Sequence, residues 1–243
     1  MILIIGTTED DIFYFKNRMK ITEKSTIASK YPYYVGTFAG KDICLAYSGY
    51  SNIASAVVAS AMIARHHPYI VICVGTVSAF SENLHQSELF IAERVYLGDI
   101  DFTPLGGGTR YGQIKEMPAF YSSEEDYIKL IETINSRTEN LHIGRGPLIS
   151  TNVFFKNRKK ANELLNSNFA HIESTTAFDT EAGGVITACY VHEVPWLLLK
   201  AVNYQIGRDE QLLSSLRVGI EAQPHIGNLI ETLLEELVHS FDN

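Results

Sequence analysis

The 243-residue chain carries 28 acidic and 20 basic residues, a formal net charge of -8, and its apolar segments recur along the whole length. This balance argues against nucleic acid as a partner, because phosphate binding requires clustered lysine and arginine, and the one basic cluster, 156–160, is expected to be a solvated helix start. No linker or repeat divides the sequence, so residues 1–243 are predicted to form one domain.

The N-terminal stretch and the cysteines give expectations about location and metals. MILIIGTTEDD has no basic region, and its apolar run is too short for a signal peptide or a membrane span, so a cytoplasmic protein without membrane association is expected. Cys44, Cys73 and Cys189 lie in apolar segments, which favours reduced, buried thiols over disulfides. The eight histidines show no metal-binding spacing, so no metal is predicted.

The first half of the sequence predicts strands that alternate with helices. Residues 2–6, ILIIG, form a short β-branched run ended by glycine, which is typical of a strand buried on both faces. Helical spacing follows from Glu9, with acids in the first turn. Residues 33–49 hold two strand-like runs around AGKD, a pattern that favours a hairpin. The alanine-rich run 51–67 predicts a helix packed on the sheet, and 68–75 predicts another central strand.

The second half continues this alternation. A strand is predicted over 88–103 and a glycine-rich loop over 103–120. The helix predicted over 122–136 follows an SxxE pattern that resembles a capping box. Pro224 is expected to split or start the final helical segment. The remaining predicted elements are a strand over 142–150, helices over 157–167 and 181–193, and a strand over 194–203.

Polar segments follow several of the predicted strands. The alternation predicts an α/β domain with a mixed sheet covered by helices on both sides. In such sheets, binding sites lie at the carboxyl ends of the strands. Segments of this kind are GTTEDD (6–11), GTVSA (75–79), STNVFF (150–155) and NYQIGRD (203–209). Together with FDTEAGG (178–184), which puts two acids ahead of an apolar run, they form the candidate site.

The order of these segments resembles the nucleoside phosphorylase type I superfamily, most closely its 5′-methylthioadenosine/S-adenosylhomocysteine nucleosidases. IIGTTEDD is similar to the family's opening strand, glycine and acidic triplet, and YSGYSNIASA to its SG turn before an alanine-rich helix. GTVSA, DIDFT and YGQ resemble the family's GSAGG, D-x-D-x-T and YGQ. STNVFF, FDTEAGG and the VP of the last strand resemble SGDxFI, DMEGAA and the family's VP strand. The resemblance runs nearly end to end and implies a three-layer α/β/α domain around a central mixed sheet.

The resemblance assigns chemical roles to two acids. Glu181 corresponds to the glutamate that binds ribose hydroxyls, and its carboxylate would also stabilise the positive charge that builds on the sugar as a glycosidic bond breaks. Asp11 corresponds to the acid that activates water, where glutamate is usual. The alternative interpretation of both is a helix N-terminal acid stabilised by the macrodipole.

Other residues of the candidate site are implied to contact the substrate. Phe154 corresponds to the aromatic residue that stacks on the base, with core packing as the alternative. Thr76 would lie near the sugar or the nucleophile, and Asn203 is counted with the catalytic residues. The further substrate-binding residues implied by the resemblance are Val77, Asn152, Phe155, Asp179, Thr180 and Tyr204.

Two departures from the family pattern bear on the reaction. The phosphorolytic branch carries an arginine two residues before the glycine of GTVSA, and the uncharged Cys73 at this position favours water over phosphate as the nucleophile. The purine nucleosidases end the VP strand with SD, whose aspartate helps protonate the departing base, whereas this chain has Asn203 and Tyr204. Asparagine cannot deliver a proton, and the pKa of tyrosine is about 10. Loss of a general acid typically costs about 10²- to 10⁴-fold in rate.

Three accounts of the missing acid stay open. Asn203 could pair with the edge of a 6-oxopurine or a pyrimidine, Asp209 could supply the proton, or the chain could bind a nucleoside without efficient turnover. The implied function is therefore a nucleosidase acting on a methylthioadenosine-like or other purine nucleoside, with a nucleoside phosphorylase or a degenerate nucleoside-binding protein as alternatives. No cofactor is implied, because the chemistry needs only acids, hydrogen bonds and stacking. The resemblance also implies a homodimer.

Overall fold

A mixed sheet is the central feature of the computed structural model, which describes residues 1–172 and 177–239. The strands are β1 (Ile2–Gly6), β2 (Lys20–Ile27), β3 (Tyr31–Phe38), β4 (Lys41–Tyr47), β5 (Val71–Cys73), β6 (Thr76–Ala79), β7 (Leu89–Leu97), β8 (Tyr121–Ser122), β9 (Ile143–Ser150), β10 (Ala177–Asp179) and β11 (Trp196–Gln205). Their order across the sheet is β2-β3-β4-β1-β5-β11-β6-β10-β9-β7-β8, and β11 also pairs with β7.

Helices cover both faces of the sheet, which makes three layers. They are α1 (Phe13–Arg18), α2 (Asn52–His66), α3 (Glu125–Arg137), α4 (Arg158–Asn168), α5 (Ala182–Val191) and α6 (Ser215–His239). α2 and α5 pack with Leu3 and Ile5 of β1, whereas α1, α3 and α6 pack with Ile2 and Ile4. This burial of alternate side chains confirms the predicted mixed sheet with helices on both sides. Within the described ranges, no helix is long and apolar enough to cross a membrane.

Parallel pairing brings several strand ends to one edge of the sheet. β1 is parallel to β4 and β5, β11 is parallel to β5 and β6, and β9 is parallel to β10. The ends of β1 and β11 therefore lie at the same edge. β9 and β10 run antiparallel to β11, and the turn after β10 brings Asp179 and Glu181 beside Lys200 in the middle of β11. The register between β11 and β6 shifts between Val202 and Tyr204, and this bulge re-aims the intervening Asn203.

Three features of local structure differ from the sequence predictions. The sequence pattern does not predict strand β2. Most side chains of this strand are exposed, so apolar and polar residues do not alternate along it. α3 begins without a capping box, because Ser122 belongs to β8 and Glu124, at the N-cap position, makes no side-chain cap hydrogen bond. Pro224 lies inside α6 without splitting it. The carbonyl that loses its helical donor belongs to Ile220, an exposed residue.

A glycine near the start of α5 allows α2 and α5 to pack closely. A Cβ on Gly184 would lie 2.0 Å from the Asn52 carbonyl oxygen and 2.3 Å from Ser55 Oγ, closer than any side chain can approach. The Gly184 amide donates to Asn52 Oδ1 at 3.0 Å. This contact holds the first turn of α5, and the adjoining Glu181, against α2.

Replacing Gly184 with alanine is expected to lower the free energy of unfolding by about 1–3 kcal/mol, because the methyl group overpacks backbone atoms that cannot move aside. Gly144→Ala is the matched control, since its Cβ would meet the flexible end of Leu84 at 2.5 Å and should cost less. Urea unfolding at a constant m value measures both changes. A Gly184→Ala midpoint equal to that of the wild type would contradict the packing argument.

Candidate active site

A cavity of about 260 Å³ opens at the carboxyl edge of the sheet. Its wall combines side chains from the ends of β1, β10 and β11, the loop after β9 and the start of α6. The candidate residues that line it are Asp11, Thr76, Val77, Phe154, Phe155, Asp179, Thr180, Glu181, Asn203 and Tyr204. Asn152 lies outside this lining, where its Nδ2 donates to Asp99 Oδ2 at 2.8 Å and its Oδ1 accepts from the Asn52 amide at 2.9 Å. Asn152 therefore joins loops beside the cavity.

Glu181 is fixed at the junction between β10 and α5. Its carbonyl accepts a hydrogen bond from Ser55 Oγ at 2.6 Å, so α2 anchors its backbone. Its Oε1 accepts from Thr7 Oγ1 at 2.7 Å and from Lys200 Nζ at 2.5 Å. Its Oε2 accepts from the Thr180 amide at 3.2 Å and the Thr180 hydroxyl at 2.8 Å. Four donors thus orient a carboxylate that is almost completely buried.

Lys200 is the residue of the candidate site that the sequence analysis missed. It lies in the centre of β11, is 1% exposed, and donates to Asp179 Oδ2 at 2.7 Å as well as to Glu181. Burial lowers its pKa, but the two carboxylates outweigh this and raise the pKa overall, so the ammonium stays charged. Burial raises the pKa of Glu181, and the charge and hydrogen bond of Lys200 reverse this to a net lowering. The available signal was a lysine inside the apolar run WLLLKAV of a central strand.

Asp11 is held differently from Glu181. Its Oδ2 accepts from the Thr7 amide at 3.1 Å, the Thr8 amide at 2.8 Å and the Thr8 hydroxyl at 3.0 Å. Among the described residues, no group donates a hydrogen bond to Oδ1. Burial, the largest effect, raises the pKa of Asp11 despite the hydrogen bonds from Thr8. The side chain therefore presents one free oxygen of raised basicity.

Thr7 joins the two carboxylates. Its amide donates to Asp11 and its hydroxyl donates to Glu181, so a single residue sets their relative position. Asp11, Asp179 and Glu181 are all buried, and the buried ammonium of Lys200 pairs with the last two. The wall carries more negative than positive charge, which suits a substrate that becomes positively charged during reaction.

The opposite part of the cavity contains amide and aromatic groups. Asn203 Nδ2 donates to Thr76 Oγ1 at 3.1 Å, while its Oδ1 is buried and has no partner among the described residues. The Tyr204 hydroxyl donates to the Phe155 carbonyl, and burial raises the pKa of Tyr204. The Phe154 ring lies 5.6 Å from that of Tyr204, at an interplanar angle of 31°. These side chains offer a stacking surface and an unused hydrogen-bond acceptor.

Asp209 does not reach this part of the cavity. Its side chain is 66% exposed and forms an ion pair with Lys156 at 3.2 Å. It is not among the residues that line the cavity. As the structure stands, Asp209 is not positioned to give a proton to a bound group.

One family model and several known proteins are similar in sequence to the chain. A model of the phosphorylase superfamily matches residues 1–235. The chain is 31% identical over 204 residues to the 5′-methylthioadenosine/S-adenosylhomocysteine nucleosidase of Listeria welshimeri, covering 82% of this chain and 84% of that protein. It is 25% identical over 241 residues to the protein of the same name from Anoxybacillus flavithermus, covering 97% and 98%.

Solved structures share the fold. The 5′-methylthioadenosine/S-adenosylhomocysteine nucleosidase of Neisseria meningitidis in complex with methylthio-immucillin-A gives a TM-score of 0.86 at 20% identity, covering 97% of this chain and 98% of that chain. The futalosine hydrolase of Helicobacter pylori gives 0.84 at 19% identity, with 97% of each chain covered. These matches confirm the predicted fold.

Lys200→Met is expected to lower the free energy of unfolding by about 3–5 kcal/mol at neutral pH, because it leaves two buried carboxylates without their counter-charge. Burial already raises the pKa of Asp179, and without Lys200 the pKa of Glu181 would rise as well, so the loss should shrink as the pH falls through the raised values and protons neutralise both groups. Urea unfolding between pH 5 and 8 measures this dependence. Lys200→Arg keeps the charge and should lose less. A loss that is the same at every pH would indicate packing rather than charge.

Proposed function

Because the chain belongs to the phosphorylase superfamily, we propose that it is a nucleosidase, which cleaves the N-glycosidic bond of a nucleoside with water. The proposal rests on the two buried carboxylates, Asp11 and Glu181, that Thr7 joins at one wall of the cavity. The names of the similar Listeria and Anoxybacillus proteins support an N-glycoside as the substrate. The proposed substrate is a methylthioadenosine- or S-adenosylhomocysteine-like nucleoside, or another purine nucleoside.

In the proposed reaction, Asp11 is the general base and Glu181 stabilises the charge on the sugar. The free Oδ1 of Asp11 accepts a proton from water as the water attacks the anomeric carbon, and the raised pKa makes this oxygen a stronger base. Glu181 stays ionised, so it stabilises the positive charge that develops on the sugar. A ribose hydroxyl reaches Glu181 by replacing the Thr180 hydroxyl, which can rotate away from Oε2.

The charges of the cavity support water rather than phosphate as the nucleophile. Among the described residues, no arginine or lysine lines the cavity. Lys200 lies behind this wall, and its ammonium is occupied by two carboxylates. Cys73 is buried, and desolvation raises its pKa to about 12, so it is an uncharged thiol. A phosphate ion would therefore meet negative charge without a compensating cation.

The departing base must leave without a carboxylic acid beside it. The Tyr204 hydroxyl is engaged by a carbonyl, and Asp209 is paired at the surface. Asn203 retains an unpartnered Oδ1 and a second hydrogen on Nδ2, and these atoms can pair with a base edge that has adjacent donor and acceptor groups. The missing acid also supports a second candidate function, a protein that binds a nucleoside with little turnover.

Asp11→Asn and Glu181→Gln are each expected to reduce base release by roughly 10²- to 10⁴-fold, since one removes the general base and the other the charge that stabilises the sugar cation. The assay follows free base by chromatography from methylthioadenosine, S-adenosylhomocysteine, adenosine, inosine, guanosine and uridine, with and without phosphate. Glu9→Gln is the matched control, because Glu9 adjoins the same segment but pairs with Lys16 at the surface.

Three other results of this assay would each lead to a different conclusion about the function. Unchanged release in both variants would contradict the proposed mechanism. Release that requires phosphate and yields a sugar 1-phosphate would identify a phosphorylase. Nucleoside binding without release from any substrate would support the non-catalytic candidate.

We also propose that the chain forms a homodimer through the surface around the cavity mouth. Tyr50, Val153 and Phe154 line the cavity and are still largely exposed, and Ile53 and Val57 extend this apolar surface along α2. A second copy that covered the surface would remove it from water and close the mouth. The family resemblance points to the same assembly.

Val57→Asp is expected to shift the protein from dimer to monomer in sedimentation velocity, because it places a charge in the apolar surface. Phe13→Asp is the matched control: Phe13 is also 56% exposed, but it lies on α1 on the other face of the sheet. A wild-type protein that sediments as a monomer, or equal effects of both variants, would contradict this interface.

A further inference from the structure

A second and larger cavity, which we call the distal groove, lies at the other end of β11. It has a volume of about 1120 Å³ and runs between the start of α3 and the connection from α5 to β11. Trp196 begins β11 and lines this groove, whereas Asn203 lies seven residues further along the strand. At ~3.3 Å per residue the backbone positions of Trp196 and Asn203 are roughly 23 Å apart along the strand. The distal groove is therefore spatially separate from the proposed active site.

Aromatic side chains form much of the groove wall. These are Phe120, Tyr121, Tyr127, Tyr190 and Trp196. The Tyr121 and Tyr190 rings meet edge to face at 5.5 Å, so at least this pair is fixed by packing. Aromatic faces attract cations and also accept methylene groups. The Arg94 guanidinium lies 5.2 Å from the centre of the Phe120 ring, so this ring already has a cation partner and the remaining aromatic residues are the ones available to a ligand.

Acids flank the groove on both sides. Glu124 and Asp126 lie on the α3 side and Glu193 lies on the side of the α5–β11 connection. Within the described part of the chain, none of the three forms an ion pair, and no lysine, arginine or histidine lines the groove. Arg94 is the nearby basic group, on Phe120. The groove thus has negative charge on both rims.

The helix dipole accounts for the acidic residues on one rim of the groove but not for the acid on the other rim. Glu124 and Asp126 are at the N-terminus of α3, where the macrodipole stabilises acids. Glu193 follows the C-terminus of α5, where the dipole favours a cation. A cation beside Glu193 would be attracted both by its carboxylate and by the last carbonyl groups of α5.

We propose that the distal groove binds a linear aliphatic polyamine. One ammonium group pairs with Glu193 at the end of α5, and another pairs with Glu124 and Asp126 on the opposite rim. The methylene segments between them lie on the aromatic wall, next to Trp196. A single compact cation would reach one rim only, whereas a flexible polycation contacts both, and the volume is sufficient for a molecule of this size.

Trp196 provides a direct test, because it is the only tryptophan of the chain. Spermidine titrated into the full-length protein at constant ionic strength should change Trp196 emission along a saturating, single-site curve. Glu193→Gln should weaken binding roughly five-fold through the loss of one ion pair, and Glu124→Gln combined with Glu193→Gln should remove the saturating signal. Glu163→Gln on α4 is the matched control, since it makes the same charge change at an exposed site outside the groove.

Equilibrium dialysis with labelled spermidine gives a second readout that does not depend on fluorescence. No retained spermidine would overturn the proposal, as would a Glu163→Gln effect equal to that of Glu193→Gln, which indicates general charge attraction. Trp196 emission that responds to protein dilution and not to spermidine would also overturn it, in favour of a second copy of the chain in the groove. The test does not require hydrolysis, so failure of the proposed nucleosidase activity would leave it intact.

Discussion

The buried ion cluster of Lys200 with Asp179 and Glu181 is the interaction on which the rest of the site depends. Lys200 belongs to β11, Asp179 ends β10, and Glu181 precedes α5, so one ammonium group joins three elements. Burying these charges is costly, and the arrangement is stable only because each charge has a close partner and further hydrogen bonds. The cluster also leaves net negative charge beside the cavity. The same ion cluster that joins the three elements therefore also makes the surroundings of the cavity negatively charged.

The two acids of the site have the same chemical group and different environments. Glu181 is saturated with donors and stays ionised, whereas Asp11 keeps a free oxygen and a raised pKa. Thr7 fixes one against the other, and packing of α2 on α5 fixes the backbone of Glu181. The opposite pKa shifts of these two carboxyl groups thus come from their surroundings rather than from residue type.

Much of the fold and most of the candidate site follow from local patterns. Strand β1 is a continuous apolar run, and α2 an alanine-rich segment with a capping serine, so both are predicted from neighbouring residues alone. Polar segments that follow strands supply most of the residues that line the cavity, although β9 and β10 run antiparallel to β11 and approach the cavity from the opposite direction. Two features depend on distant partners: Ser122 caps no helix, because it belongs to β8 and pairs with Arg94 of β7, and Asn152 donates to Asp99 and lies outside the cavity lining.

The sequence by itself determined the α/β class and predicted most of the residues that line the cavity. Only the tertiary structure shows which groups Lys200, Asn203 and Tyr204 contact. A buried lysine within an apolar strand is unfavourable unless its charge is paired. Here two carboxylates, 19 and 21 residues away in the sequence, pair with it. The spacing of residues cannot show that the Tyr204 hydroxyl is used by a carbonyl or that Asn203 keeps a free acceptor. Periodicity is a property of neighbours along the chain, whereas charge pairing and hydrogen-bond satisfaction are properties of neighbours in space.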